Sequence, residues 1–156
     1  MADKFIELNQ FAPNKPLDGL YVYMANEGQL HNVIVGADTT LYSGNVVALD
    51  TSSTNTNAPV VVAAESTDAP FGVVAFTPVQ AAHTTGARVG LAREHDVIWK
   101  KAASSIAVGD YVTFDSNYAV ETAGAGEVYI GIALTPASAK DDFIQVELHF
   151  GAVAGE

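Results

Sequence analysis

Two stretches of this chain carry the same phrase. Leu41–Asp50 reads LYSGNVVALD, and Ser105–Asp115 reads SIAVGDYVTFD. Gly44-Asn45-Val46-Val47-Ala48-Leu49-Asp50 aligns over Gly109-Asp110-Tyr111-Val112-Thr113-Phe114-Asp115. A second matching pair follows. FGVVAFTP (Phe71–Pro78) corresponds to IGIALTP (Ile130–Pro136), with one extra residue in the first copy. Each copy then runs into an apolar stretch, ARVGLAR in the first and FIQVELHF in the second. Two motifs recurring in one order point to an internal structural repeat, over about residues 41–92 and 106–150. Gly-Asn and Gly-Asp suit tight turns, because Gly accepts positive φ and Asn or Asp bonds its own backbone. Side-chain alternation then places Val47 and Leu49 on one side of the first strand, and Val112 and Phe114 on one side of the second. Gly72 and Gly131 fall inside strands, where Gly marks a bulge, a bend or close backbone approach. The Thr-Pro pairs end those strands, because Pro cannot donate to a ladder.

Strand signals dominate the remainder. Runs rich in Val, Ile, Tyr, Phe and Thr recur every 8 to 12 residues or so, bounded by turn formers. They predict strands over Leu20–Met24, His31–Gly36, Asn45–Asp50, Pro59–Glu65, Phe71–Thr77, Ala87–Ala92, His95–Ala102, Tyr111–Asp115, Tyr118–Thr122, Glu127–Leu134 and Asp142–Phe150. Outside the first dozen residues no window carries a helical apolar period. The fold class is therefore all-β, a compact β-barrel or sandwich built from two similar β-units, with an irregular N-terminal arm. The arm covers residues 1–19, the β domain 20–150, and a frayed C-terminal tail 151–156. Thr51–Ala58 and Thr77–Gly86 read as loops, the latter with room for one helical turn.

At 156 residues the chain fits one domain that buries roughly 70% of its unfolded surface. It has no cysteine, which removes disulfides and thiolate metal sites. The N-terminus has no basic region followed by an apolar core, and so does not read as a secretory signal. Nothing approaches a membrane-spanning apolar run. Eighteen acidic residues against seven Lys and Arg give a net charge of -11, which repels a phosphate backbone and an anionic membrane. Nucleic-acid and membrane partners are excluded on that ground. Only 16% of residues are charged, a low density that suits either a surface partly covered in an assembly or simply a small polar β-protein.

Catalytic signals are weak. AREHDV (Ala92–Val97) gathers Arg93, Glu94, His95 and Asp96, but of its possible ligands only Glu94 and Asp96 have the i, i+2 spacing that shares a strand face. It reads as a charged hairpin tip or edge. His31, His83 and His149 are scattered and read as structural. Lys140-Asp141-Asp142 reads as a turn, and Asp50 and Asp115 as turn caps at equivalent repeat positions. Ala123–Glu127, AGAGE, is Gly-rich without a Lys and reads as a hairpin loop. No nucleophile elbow, P-loop, dinucleotide fingerprint or HExxH is present. No catalytic residue, cofactor or metal ligand is assigned. Trp99, Tyr111, Phe114, Tyr118 and Tyr129 form an aromatic set suited to a core or a subunit interface, with Trp99, Tyr111 and Tyr129 the strongest candidates.

The series Ile98-Trp99-Lys100-Lys101-Ala102, Gly109-Asp110, Tyr111–Asp115, Ile130-Gly131-Ile132-Ala133 and Ile144–Leu148 resembles the capsid cement or head-decoration proteins of tailed bacteriophages. The resemblance covers about the C-terminal third, and extends more loosely back to residue 31. It implies a non-enzymatic β-barrel-like protein, often trimeric, on the outer surface of a virion assembled in the host cytoplasm. Its partner would be the major capsid protein, whose lattice it would stabilise. Phe5, Ile6 and Phe11 in the arm are the expected capsid contacts, with the loops Thr51–Ala58 and Thr77–Gly86. A carbohydrate-binding or adhesive β-module is the alternative, and it requires exposed, coplanar aromatics around Trp99. A small trimeric hydrolase with its site between subunits is a third reading.

Overall fold

The computed structural model describes residues 18–23, 31–77 and 82–155. Phe5, Ile6 and Phe11 lie outside these residues. Thirteen strands are described: β1 (Tyr21–Tyr23), β2 (His31–Val35), β3 (Thr40–Tyr42), β4 (Val46–Leu49), β5 (Val60–Ala63), β6 (Gly72–Val74) and β7 (Ala82–Thr84), then β8 (Arg88–Ala92), β9 (Val97–Lys101), β10 (Tyr111–Phe114), β11 (Val120–Thr122), β12 (Val128–Ala133) and β13 (Phe143–Ala152). No helix occurs among the described residues, so the fold is all-β as expected.

The strands form a closed barrel, β2-β5-β4-β6-β8, and a six-stranded sheet, β1-β9-β13-β12-β10-β11, with β3 and β7 as a separate pair. The repeated phrases occupy equivalent places in both. Val47 pairs with Gly72, and Val46 with Val73, between β4 and β6. Val112 pairs with Gly131, and Tyr111 with Ile132, between β10 and β12. The partner on the other side also corresponds, Leu49 with Val61 in one unit and Phe114 with Val120 in the other. The barrel closes by a parallel pairing of Val35 with Val61. The sheet repeats that contact as a single parallel bridge, Ala102 with Val120, so it curls the same way without sealing. Gly44 and Gly109 both sit at positive φ, +85° and +89°, where a Cβ is costly and Gly is not. Behind them, the Asn45 and Asp110 side chains accept from the backbone N–H of Tyr42 and Ala107.

Two apolar clusters hold the fold. Val33, Val35, Leu41, Val47, Val61, Val74, Val89 and Leu91 fill the barrel. The larger cluster joins Val46, Ala48 and Val73 on the same barrel strands to Ile98, Val112, Ile130, Ile144, Val146 and Leu148 of the sheet. β4 is thus buried on both sides. Its last residue, Leu49, is 47% exposed, so of the two residues read onto one side of this strand only Val47 is buried. Val112 and Phe114 are both buried.

Several expectations need correction. Thr77–Gly86 contains β7, paired through Leu41 with His83 to the unexpected strand β3. Each is three residues long and is stabilised by its partner rather than by local propensity. Residues 78–81 lie outside the described set. The last strand runs on to Ala152, where Gly151 and Ala152 pair with Tyr129 and Val128, so the frayed tail begins later than residue 151. Ala123–Glu127 is not a hairpin loop, because β10 lies between β11 and β12. AREHDV is not a hairpin tip either. It is the crossover from β8 in the barrel to β9 in the sheet.

Candidate functional site

The sheet presents one outward face. Opposed residues in paired strands share a side, as do residues two apart. Trp99 opposes Gln145, Val97 opposes Glu147, Glu147 opposes Ile132, and Ile132 opposes Tyr111. Trp99, Tyr111 and Tyr129 therefore lie on a common face. A register shift between Tyr129 and Gly131 keeps Tyr129 there while Ile130 enters the core. The Tyr111 and Tyr129 rings meet at 4.6 Å with a 44° tilt, and Gly151 leaves the room that the Tyr129 ring occupies. Tyr111 is 46% exposed, and Val108 and Leu134 are also exposed. Tyr129 and Trp99 are half-buried.

The opposite face of β9 carries the one buried cation among the described residues. Lys100 is fully buried. Its ammonium donates to Asp18 Oδ2 at 3.0 Å and to the Gly44 carbonyl at 2.6 Å. Asp18 Oδ1 accepts from the Lys101 N–H at 3.0 Å. Gly19 donates to the Trp99 carbonyl and accepts from the Phe76 N–H. The end of the expected N-terminal arm is thereby fastened across the seam between barrel and sheet. Tyr21 crosses the same seam, its hydroxyl donating to the Leu91 carbonyl at 3.1 Å. Burial, with the Asp96 charge second, holds that phenol far above its usual range.

The acidic residues singled out from sequence are mostly committed to turns. Asp50 accepts from Ser52 N–H and Oγ, and the Ser52 hydroxyl leads the interactions that hold its carboxyl low. Asp115 accepts from Asn117 and Ala119. Asp142 caps the turn after Thr135–Ala137 by accepting from the N–H groups of Ser138 and Ala139 and from Ser138 Oγ. Those bonds, the Ala139 N–H first, lower its pKa. An open cleft between Ser66, Thr67, Thr113, Asp115, Glu121 and Glu127 has three carboxylates. Asp115 is occupied as above, and Glu127 accepts from Gly124 N–H.

One grouping escaped sequence reasoning. His95, at the crossover, lies beside Glu147 and His149 of β13, with their ligand-type atoms all within 4.8 Å. The readable part was Glu147-x-His149, an i, i+2 pair on a strand. The third member is about fifty residues away and only tertiary pairing brings it in.

The sequence profile of the phage cement protein family matches residues 25–148. This chain belongs to the phage cement protein family. The cement fold here is similar to that in the crystal structure of the head fiber gp8.5 N base in bacteriophage phi29, with a TM-score of 0.54 at 14% identity. The match covers 76% of this chain and 91% of that one, and at such identity the likeness is one of fold. Comparison with curated protein sequences returns no match. Membership makes this cement protein a structural component of a phage head, associated with the capsid.

Proposed function

We propose that this cement protein binds the outside of an assembled phage head as a homotrimer and stabilises the lattice of its major capsid protein, without enzymatic activity. The observation that carries the reading is the family match across residues 25–148. The outward sheet face supports it, because Tyr111 and Leu134 expose apolar surface there and Val108 is exposed in the turn before β10, and aromatic residues are enriched at such interfaces. That face, with Trp99 and Tyr129, is the proposed subunit contact. Phe5, Ile6 and Phe11, outside the described residues, and the exposed loop Thr51–Ala58 are the proposed capsid contacts. A trimer engages several capsid subunits together, so weak contacts sum through effective concentration. Binding the assembled lattice in preference to free subunits stabilises it by mass action.

The 44° tilt of the Tyr111–Tyr129 pair and the half-buried Trp99 disfavour the coplanar platform that the carbohydrate-binding alternative requires. The test is co-sedimentation with expanded heads lacking the protein, with light scattering on the free chain. Saturable binding at a fixed ratio to capsid subunits by a trimer is the expected result. A monomer that leaves the heads unlabelled would end the proposal. Deletion of residues 1–12 should weaken head binding severalfold, and unchanged binding would remove the arm from it.

A further inference from the structure

The geometry points to a divalent transition-metal site of the Zn²⁺ class formed by His95, Glu147 and His149, on the outward sheet face and resting on no assumption of head binding. Three separate observations converge on it. First, the donor set is two imidazoles and one carboxylate, a combination that suits Zn²⁺ and related borderline ions. Second, the ligand atoms all lie within 4.8 Å of one another. A tetrahedral ion with bonds of about 2.1 Å needs them roughly 3.4 Å apart. The His149 Nε2 and Glu147 Oε1 atoms, now 2.5 Å apart, would open slightly, and the exposed His95 ring would swing in. Third, the backbone beneath the three side chains is fixed. His95 N–H donates to the Leu148 carbonyl at 2.7 Å, and Leu148 N–H donates to the Asp96 carbonyl at 2.9 Å. Phe150 N–H is accepted by Glu94 Oε1 at 3.2 Å. The crossover is thus held against β13 at Leu148, between the two ligands, and at Phe150, just beyond them.

The imidazoles already meet edge to face, their centroids 5.0 Å apart. Only His95 must change rotamer, because Glu147 and His149 share a strand face. The three ligands leave a fourth position open to water. A bound ion would tie the barrel-to-sheet crossover to the longest strand of the sheet, so its binding energy would appear as resistance to unfolding.

The experiment is calorimetric titration of the full-length chain with ZnCl₂, with thermal melts and Co²⁺ absorption as companions. The expected result is one ion per chain, a melting temperature raised on the order of 5 °C at saturating Zn²⁺, and the strong visible bands of four-coordinate Co²⁺. His95→Asn is the chosen variant, because Asn tolerates the left-handed φ of +71° found there. His149→Gln is the second. Each should weaken binding about 10-fold or more and abolish the thermal shift, with the circular dichroism of the metal-free chain unchanged. No heat of binding in the unaltered chain would overturn the site. So would binding that survives both variants, since it would belong to other residues.

Discussion

The barrel and the curled sheet follow the same ladder plan, yet they differ at one strand, and that difference shows how the halves are joined. Val33 of β2 opposes Val89, and Lys100 of β9 opposes Ile144. The flanking pairings make Val33 and Lys100 equivalent. Val33 is an ordinary member of the barrel interior. Lys100, equally buried, sends its ammonium out of its own unit to the Gly44 carbonyl and Asp18. The barrel closes upon itself and is satisfied by apolar packing. The sheet stays open, and uses the corresponding position to grip its neighbour's turn and the incoming chain.

The largest effect should come from breaking that grip. Lys100→Ala strands the Gly44 carbonyl, takes the buried cation from the part-exposed Asp18 carboxylate, and leaves a large void. A loss of about 3–5 kcal/mol is expected. Val33→Ala at the equivalent place should cost roughly 2 kcal/mol. Chemical denaturation of both variants checks this, and equal losses would mean that Lys100 acts merely as packing.

The paired glycines sharpen the comparison at a smaller scale. A Cβ on Gly131 would drive into the Glu147 carbonyl and the Val146 side chain, whereas one on Gly72 meets the Ala92 carbonyl and Leu91 Cδ1 at 3.0 Å. Gly131→Ala should therefore cost about 3 kcal/mol and Gly72→Ala about 1 kcal/mol, by the usual cost of overpacking. Urea midpoints would reveal the order, and its reversal would show that the barrel is the more rigid half.

The smallest effect is one of pH. His83, opposite Leu41, corresponds to Ala137, opposite Ile106. It is 3% exposed, and neither ring nitrogen has a hydrogen-bond partner among the described residues. Burial lowers its pKa below the usual 6.5. The unfolded chain then binds more protons than the folded one in the window below about 6.5. His83 is compatible with full stability above that window and costs stability as pH falls through it. His83→Ala should flatten the decline in melting temperature between about pH 7 and 5. An unchanged slope would assign the acid sensitivity to other groups.

The β-class and the repeat were legible because their signals are local. A Gly at positive φ, an Asn or Asp behind it, and alternating apolar residues dictate a turn and a strand wherever they occur. Gly72 and Gly131 were readable as sites of close approach for the same reason. Other features were not legible. β3 and β7 are too short to announce themselves and exist through each other. The Ala123–Glu127 loop looks like a hairpin until β10 is found between its strands. Tyr111, Tyr129 and Trp99 come from three strands and share a face only through register.

The sequence by itself thus determined the turns, the alternation and the twofold writing of one β-unit, since each depends on residues a few positions apart. Tertiary structure alone decided that Lys100 reaches Gly44, that the crossover lands on β13, and that His95 meets Glu147 and His149. Those outcomes depend on long-range pairing, where one added residue would turn a side chain to the other face.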